Sequence, residues 1–144
     1  HWAIALNEAL GGHAGEATIT FNTANPGETH VARDGGPAAG TRVPMTTLDA
    51  ALARLEVGPI AYLKVDVEGF ELPLLRGAAR SIAGSPDIAV QTELQARHAA
   101  RYGHGTEEVV ALLRGLGLSP HGLDAAGTPH PLEGALHGDV IWLR

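Results

Sequence analysis

The sequence predicts an α/β domain built on parallel strands, and three observations carry that reading. From Ile60 onward the pattern runs strand, helix, strand, helix, strand, strand, and alternating units of this kind fold with right-handed parallel crossovers. The strand from Ile60 to Val67 has one wholly apolar face (Ala61, Leu63, Val65, Val67) and one mixed face (Ile60, Tyr62, Lys64, Asp66), which suits a parallel sheet covered on both sides. The last two strands have no helix between them, so an antiparallel pair is expected at one edge.

The elements follow in chain order. Residues 2–6 form an apolar run that reads as a short buried strand, and residues 16–22 alternate in polarity with many β-formers. Residues 23–41 are rich in Gly, Pro, Asn and Thr without a period, which predicts a long, mobile loop of the kind that serves as a lid or binding element. Thr46-Thr47-Leu48-Asp49 matches a capping box, in which a Thr hydroxyl accepts from a free amide and Asp49 reaches back. The helix behind it runs to about Leu55, with Leu48, Leu52 and Leu55 on one stripe, until Gly58-Pro59 stops it. Glu68-Gly69 ends the strand that follows.

Glu71 to Arg80 reads as one helix with Leu72, Leu75 and Ala79 on its buried side, and Pro73 is tolerated in the first turn. Asp87 to Gln95 is the next strand, with Ile88, Val90, Thr92 and Leu94 on one face and Ala89, Gln91, Glu93 and Gln95 on the other. Thr106 is expected to cap a helix through about Leu116, and Gly117 sits where a left-handed C-terminal residue belongs. Leu118 to Leu123 and Asp139 to Leu143 read as the closing strands, separated by the breaker Gly127-Thr128-Pro129.

Bulk properties narrow the function. The 144 residues fit one domain over 1–144, and 44% hydrophobic with 18% charged residues is ordinary globular usage. A net charge of −6 without a basic run makes nucleic acid and anionic membranes poor partners. No apolar run reaches the roughly 20 residues that span a bilayer. The absence of Cys rules out disulfides and thiolate metal sites and fits a reducing, cytoplasmic setting. The chain opens on His1 and runs straight into apolar residues, so it reads as a fragment.

In open α/β sheets ligands bind outside the carboxyl ends of the strands. Asp66 and Glu93 sit at such ends, and Glu68 lies just past the first of them. Lys64 shares a face with Asp66, and Gln91 shares one with Glu93, so neighbouring strands would line one crevice with these groups. Two chemistries suit the set. Carboxylates such as Asp66 and Glu93 can hold a hard divalent cation such as Mg²⁺, or one carboxylate can act as general base toward a substrate hydroxyl. A structural alternative stands beside each: Asp66 and Glu68 as acids favouring a helix N-terminus, and Lys64 as the counter-ion of an acid. Of the eight His, His98 and His104 follow the strand end at Glu93 and lie nearest the crevice, while His121, His130 and His137 fall in Gly/Pro-rich turns.

The stretch from Val43 to Ala78 resembles the FkbM family of methyltransferases. The matching residues are Val43-Pro44-Met45-Thr46-Thr47-Leu48-Asp49, Leu63-Lys64-Val65-Asp66-Val67-Glu68-Gly69-Phe70-Glu71 and Leu75-Arg76-Gly77-Ala78. Asn7-Glu8-Ala9-Leu10-Gly11 with Gly15, and Glu93 after the next strand, extend the likeness over most of the chain. The resemblance implies a Rossmann-like class I methyltransferase sheet and methyl transfer from S-adenosylmethionine, typically to a hydroxyl on a sugar or natural product. It also places the glycine-rich cofactor loop and the ribose-holding acid upstream of the matching region. Gly11-Gly12 and Gly35-Gly36 do not replace that loop, since neither follows a strand and opens a helix. The chain is therefore expected to be the C-terminal part of the fold, truncated at its N-terminal side and carrying the acceptor side of the crevice.

On this reading Asp66 orients or deprotonates a small-molecule or glycan acceptor. Glu68 and Glu93 act as further orienters, Lys64, Gln91 and His98 contact the substrate, and Asp66 with Glu93 would hold Mg²⁺ if a metal takes part. Two other readings stay open. Asp66-x-Glu68 at a strand end is similar to the Asp-x-Asp-Gly start of haloacid-dehalogenase-like phosphatases and hydrolases, although the second acid here is Glu and no Thr or Val follows the Gly. A non-catalytic fragment could instead bind a partner through an open sheet edge.

Overall fold

A computed structural model describes residues 3–20, 29–32 and 40–144, which fold as a mixed α/β chain with two sheets. The first sheet holds β1 (Ala9–Leu10), β2 (Gly15–Thr20), β3 (His30–Val31) and β4 (Thr41–Thr46) in the order β1-β4-β2-β3. β1 runs parallel to β4, while β2 pairs antiparallel with both β4 and β3. The strand expected over residues 2–6 is displaced: residues 3–8 carry no regular structure, Ile4 and Leu6 are exposed, and pairing starts only at Ala9. Most of the predicted loop over 23–41 lies outside the described residues, but Thr41 begins β4 and His30–Val31 pair with β2.

Helix α1 (Leu48–Arg54) starts at Thr47, whose hydroxyl accepts from the Ala50 amide at 3.1 Å. Asp49 does not reach back as a capping box requires. Its carboxylate crosses to α3 (Ala79–Ala83), where it accepts from Ser81 N at 2.8 Å and Ser81 Oγ at 2.6 Å. The helix expected from Glu71 to Arg80 is in fact two, α2 (Glu71–Arg76) and α3, broken at Gly77-Ala78. The break has a packing cause: a Cβ on Gly77 would collide with the Gly11 carbonyl and press on Thr47, so the backbones meet there.

The second sheet has the order β5-β6-β9-β7-β8, from β5 (Tyr62–Val65), β6 (Ala89–Leu94), β7 (Ser119–Leu123), β8 (Pro129–Pro131) and β9 (Gly138–Leu143). β5 and β6 are parallel, as the alternating pattern requires. The closing strands do pair antiparallel, but β9 is inserted between β6 and β7, and β8 adds a strand the sequence did not announce. Between β6 and β7 run α4 (Ala96–Ala99), a 3₁₀ turn (Ala100–Tyr102) and α5 (Thr106–Gly115). The N-cap of α5 is Gly105 and not Thr106, and the helix ends in a Schellman motif: Gly117 lies at φ +81°, with Gly117 N bonded to Arg114 O and Leu118 N to Leu113 O.

One core holds these elements together. Leu72 and Leu75 of α2, Ile82 of α3, and Val109 and Leu113 of α5 pack on Val65, Val90, Leu94, Val140 and Trp142 of the sheet. Trp142 satisfies its buried indole N–H on Thr92 Oγ1 at 2.9 Å. Sequence periodicity suggested a sheet covered on both sides. Among the described residues the helices cover one face, and the other leaves Tyr62, Lys64 and Asp139 exposed.

Candidate active site at the carboxyl ends of two parallel strands

Val65 is paired with Thr92, so Asp66, just past the end of β5, and Glu93, the penultimate residue of β6, stand side by side on the open face. Both carboxylates thus stand where ligands bind in open α/β sheets. Lys64 Nζ lies 2.9 Å from Asp66 Oδ2, and this hydrogen bond and charge raise the Lys64 pKa. The pair is half-exposed, so Lys64 is not the buried counter-ion that the strand pattern suggested. Gln91 is held between strands, accepting from the Tyr62 hydroxyl and donating to Asp139 Oδ1 at 3.2 Å. Glu93 accepts from Gln95 Nε2 at 2.7 Å and stands opposite Asp139 in register.

A second group gathers around the turn that follows β5. Glu68 has φ +51° and Gly69 φ +100°, two successive left-handed residues of which the first has a side chain. A Cβ on Gly69 would overlap the His98 carbonyl, which fixes glycine there by both sterics and torsion. His98 is nearly fully buried. Arg97 Nη2 lies 3.0 Å from its Nε2, which leaves the ring proton on Nδ1, facing Glu68 Oε2 at 2.9 Å. That charge contact is off the line of a hydrogen bond, so Glu68 Oε2 is buried with no hydrogen-bond partner, as is Arg101 Nη1.

Glu71 is buried, and its carboxyl is pushed up by that burial although the Gly69 amide donates to it at 3.0 Å. His104 Nε2 reaches the Gly69 carbonyl at 3.0 Å. Tyr102 packs edge-on against Phe70 with ring centres 5.0 Å apart and donates to Val31 O at 2.7 Å. Burial raises the Tyr102 phenol above its ordinary value.

The structure therefore brings Asp66, Glu93, Lys64 and Gln91 onto one strand-end surface and puts Glu68 in the adjoining turn, with His98 of α4 and His104, ahead of α5, packed against it. Sequence reasoning missed Glu71, Tyr102 and Asp139. Glu71 was visible only as the first acid of a helix, and the other two owe their place to pairings more than 40 residues apart. The metal reading of Asp66 and Glu93 gains no support: among the described residues no three His, Asp or Glu side chains form a cation-sized group. A groove of about 310 Å³ lined by Asp49, Leu52, Pro59, Arg80 and Ser85 lies at the opposite, amino end of β5, away from these acids. No helix among the described residues is long and apolar enough to cross a membrane.

A family model described as the methyltransferase FkbM domain matches residues 4–119. No curated protein and no solved structure matches the chain.

Proposed function

Because the chain belongs to the FkbM family of methyltransferases, we propose that it methylates a hydroxyl oxygen of a small-molecule or glycan acceptor bound across the carboxyl ends of β5 and β6, with S-adenosylmethionine as donor. The observation that carries this reading is the side-by-side placement of Asp66 and Glu93 at those ends, with the partly buried acid Glu68 beyond them. When bound, the cofactor supplies an electrophilic methyl group carried on a sulfonium. Its fit here is partial. Three carboxylates favour a cationic sulfonium nearby, while no Gly-x-Gly-x-x-Gly loop occurs in the chain to hold an adenosine end. We accordingly read the described sheet as the acceptor side of a Rossmann-like class I fold. Parallel β5 and β6, followed by the antiparallel β9, support that reading.

The residues of this chain would work as follows. Asp66 is half-exposed and oriented by Lys64, so its carboxylate accepts a hydrogen bond from the acceptor hydroxyl and takes the proton as the ether forms. Gln91 is fixed by Tyr62 and Asp139, and with Glu93 it aligns the rest of the acceptor. Glu68 has Oε2 buried against His98 Nδ1 at 2.9 Å, so it orients the turn beside the acceptor from within the protein. Much of the rate comes from alignment, because well-oriented reactants lower a barrier by roughly 7–11 kcal/mol. The scheme assigns no step to Mg²⁺. The hydrolase and partner-binding readings draw nothing from the family match.

The test is transfer of label from methyl-labelled S-adenosylmethionine to a panel of glycosides, free sugars and phenols, with products located by mass spectrometry. The expected product is an O-methyl ether. Label found only on nitrogen or carbon, or none transferred by folded protein, contradicts the proposal.

A further inference from the structure

The turn that presents Asp66 and Glu68 is strained, and strain of this kind persists only where the surroundings over-determine it. A non-glycine residue in the left-handed region costs about 1 kcal/mol or more, and Glu68 at φ +51° precedes a second left-handed residue, Gly69 at φ +100°. Local hydrogen bonding supplies only Phe70 N to Val67 O at 3.1 Å. Besides the contact of His98 with Glu68, two side chains grip one residue, Gly69, one at its amide and one at its carbonyl.

Glu71 Oε1 accepts from the Gly69 amide at 3.0 Å, and His104 Nε2 donates to the Gly69 carbonyl at 3.0 Å. His104 lies 35 residues downstream, so the contact ties the segment leading into α5 to the end of β5. A plain helix-starting acid would face solvent, as Glu107 and Glu108 do in the first turn of α5. Glu71 instead is buried in the first turn of α2 with its carboxylate turned back to the turn. Burying a carboxylate is costly unless it is bonded, so this one is held in place for its acceptor oxygen.

We propose that Glu71 and His104 are positioning residues, which clamp the Gly69 peptide and so fix the turn that holds the Asp66 carboxylate toward the acceptor and the Glu68 carboxylate against His98. The consequence for turnover rests on the methyltransferase reading; the clamp itself does not.

Four variants separate these levels. Glu71→Gln keeps an acceptor and His104→Gln keeps a donor, while Glu71→Leu and His104→Phe keep bulk without either. Amide exchange at Glu68 and Gly69, the carboxyl carbon resonances of Asp66 and Glu68, and the unfolding midpoint are measured for each. The Leu and Phe variants are expected to speed Gly69 exchange about tenfold or more and to move both carboxyl resonances, with Val90 and Trp142 amides still protected. They should also lower kcat about tenfold or more with KM for S-adenosylmethionine little changed, and the Gln variants should stay near wild type.

Unchanged Gly69 exchange and carboxyl resonances overturn the proposal. So do Gln variants that lose as much as Leu and Phe in step with global stability. Should Glu71→Leu fail to fold, the His104 pair decides alone. If wild type transfers no methyl group, the functional reading falls, while exchange and resonances still decide whether these residues position the acids.

Discussion

Replacing Asp49 by Ala should destabilise the protein by about 2–3 kcal/mol, although Asp49 touches nothing at the proposed site. Its carboxylate, projecting from α1, accepts from Arg80 N at 3.3 Å, Arg80 Nε at 3.2 Å, Ser81 N at 2.8 Å and Ser81 Oγ at 2.6 Å. α3 starts at Ala78, which has no side-chain acceptor, so Asp49 caps that helix from a distance. Loss of a helix cap costs roughly 0.5–2 kcal/mol, and a hydrogen bond to a charged group roughly 1.5–3 kcal/mol. The Arg80 side chain is largely exposed, so its ion pair adds little and the sum stays near the lower end. Urea unfolding at neutral pH is the assay, with an unchanged m-value as the check on two-state behaviour. A cycle with Ser81→Ala should show coupling of about 1 kcal/mol or more. A loss below roughly 0.5 kcal/mol, or additivity with Ser81→Ala, would refute the capping argument. Burial raises the Asp49 pKa, but the bonds from Ser81 and Arg80 outweigh it and hold the carboxyl below its ordinary value. Its stabilisation is therefore complete above the ordinary carboxylate pKa of about 3.9 and fades as pH falls through the lower folded value. The gap between wild type and Asp49→Asn should narrow only in that acid range.

Three more outcomes follow from the same geometry. Gly69→Ala must move the His98 backbone and adopt a left-handed torsion, so thermal unfolding should show a loss of about 2–4 kcal/mol. Arg144 donates to Ile82 O at 2.8 Å, Leu116 O at 3.3 Å and Ser85 O at 3.4 Å, closing the ends of α3 and α5 together. Arg144→Ala should cost about 1–2 kcal/mol in urea unfolding, and Arg144→Lys should not restore it, because a single ammonium cannot fork to both helix ends. Glu71, with its pKa raised by burial, favours the folded state most when protonated. Its contribution falls as pH rises from the ordinary carboxylate value through the raised folded one, so Glu71→Gln should flatten the stability profile over that window and be at least as stable as wild type at neutral pH.

Local signals made the second sheet legible. The alternation of Val90, Thr92 and Leu94 gave the buried face of β6, and Gly117 gave the end of α5. What failed was whatever depends on distant partners. Asp49 has the spacing of a capping box but bonds to Ser81, because α3 offers it amides that its own helix start does not. Leu75-Arg76-Gly77-Ala78 continues a helical period, yet Gly77 meets the Gly11 carbonyl and the helix breaks. The insertion of β9 beside β6 is a choice among edge positions that hydrophobic pattern does not encode. At the site, Asp66, Glu68 and Glu93 were visible as acids at strand ends, whereas Glu71 and Tyr102 look ordinary until Gly69 and Val31 are folded against them.

In the proposed function Asp66, the acid just past β5, handles the acceptor hydroxyl. The most direct measurement is steady-state methyl transfer by wild type and Asp66→Asn, with both proteins shown to be equally folded. The expected result is a kcat lowered about 10²–10⁴-fold with KM for S-adenosylmethionine little changed, since general-base help of this size is lost without disturbing the donor. An Asp66→Asn protein that turns over at the wild-type rate would contradict it and move the chemistry away from the end of β5.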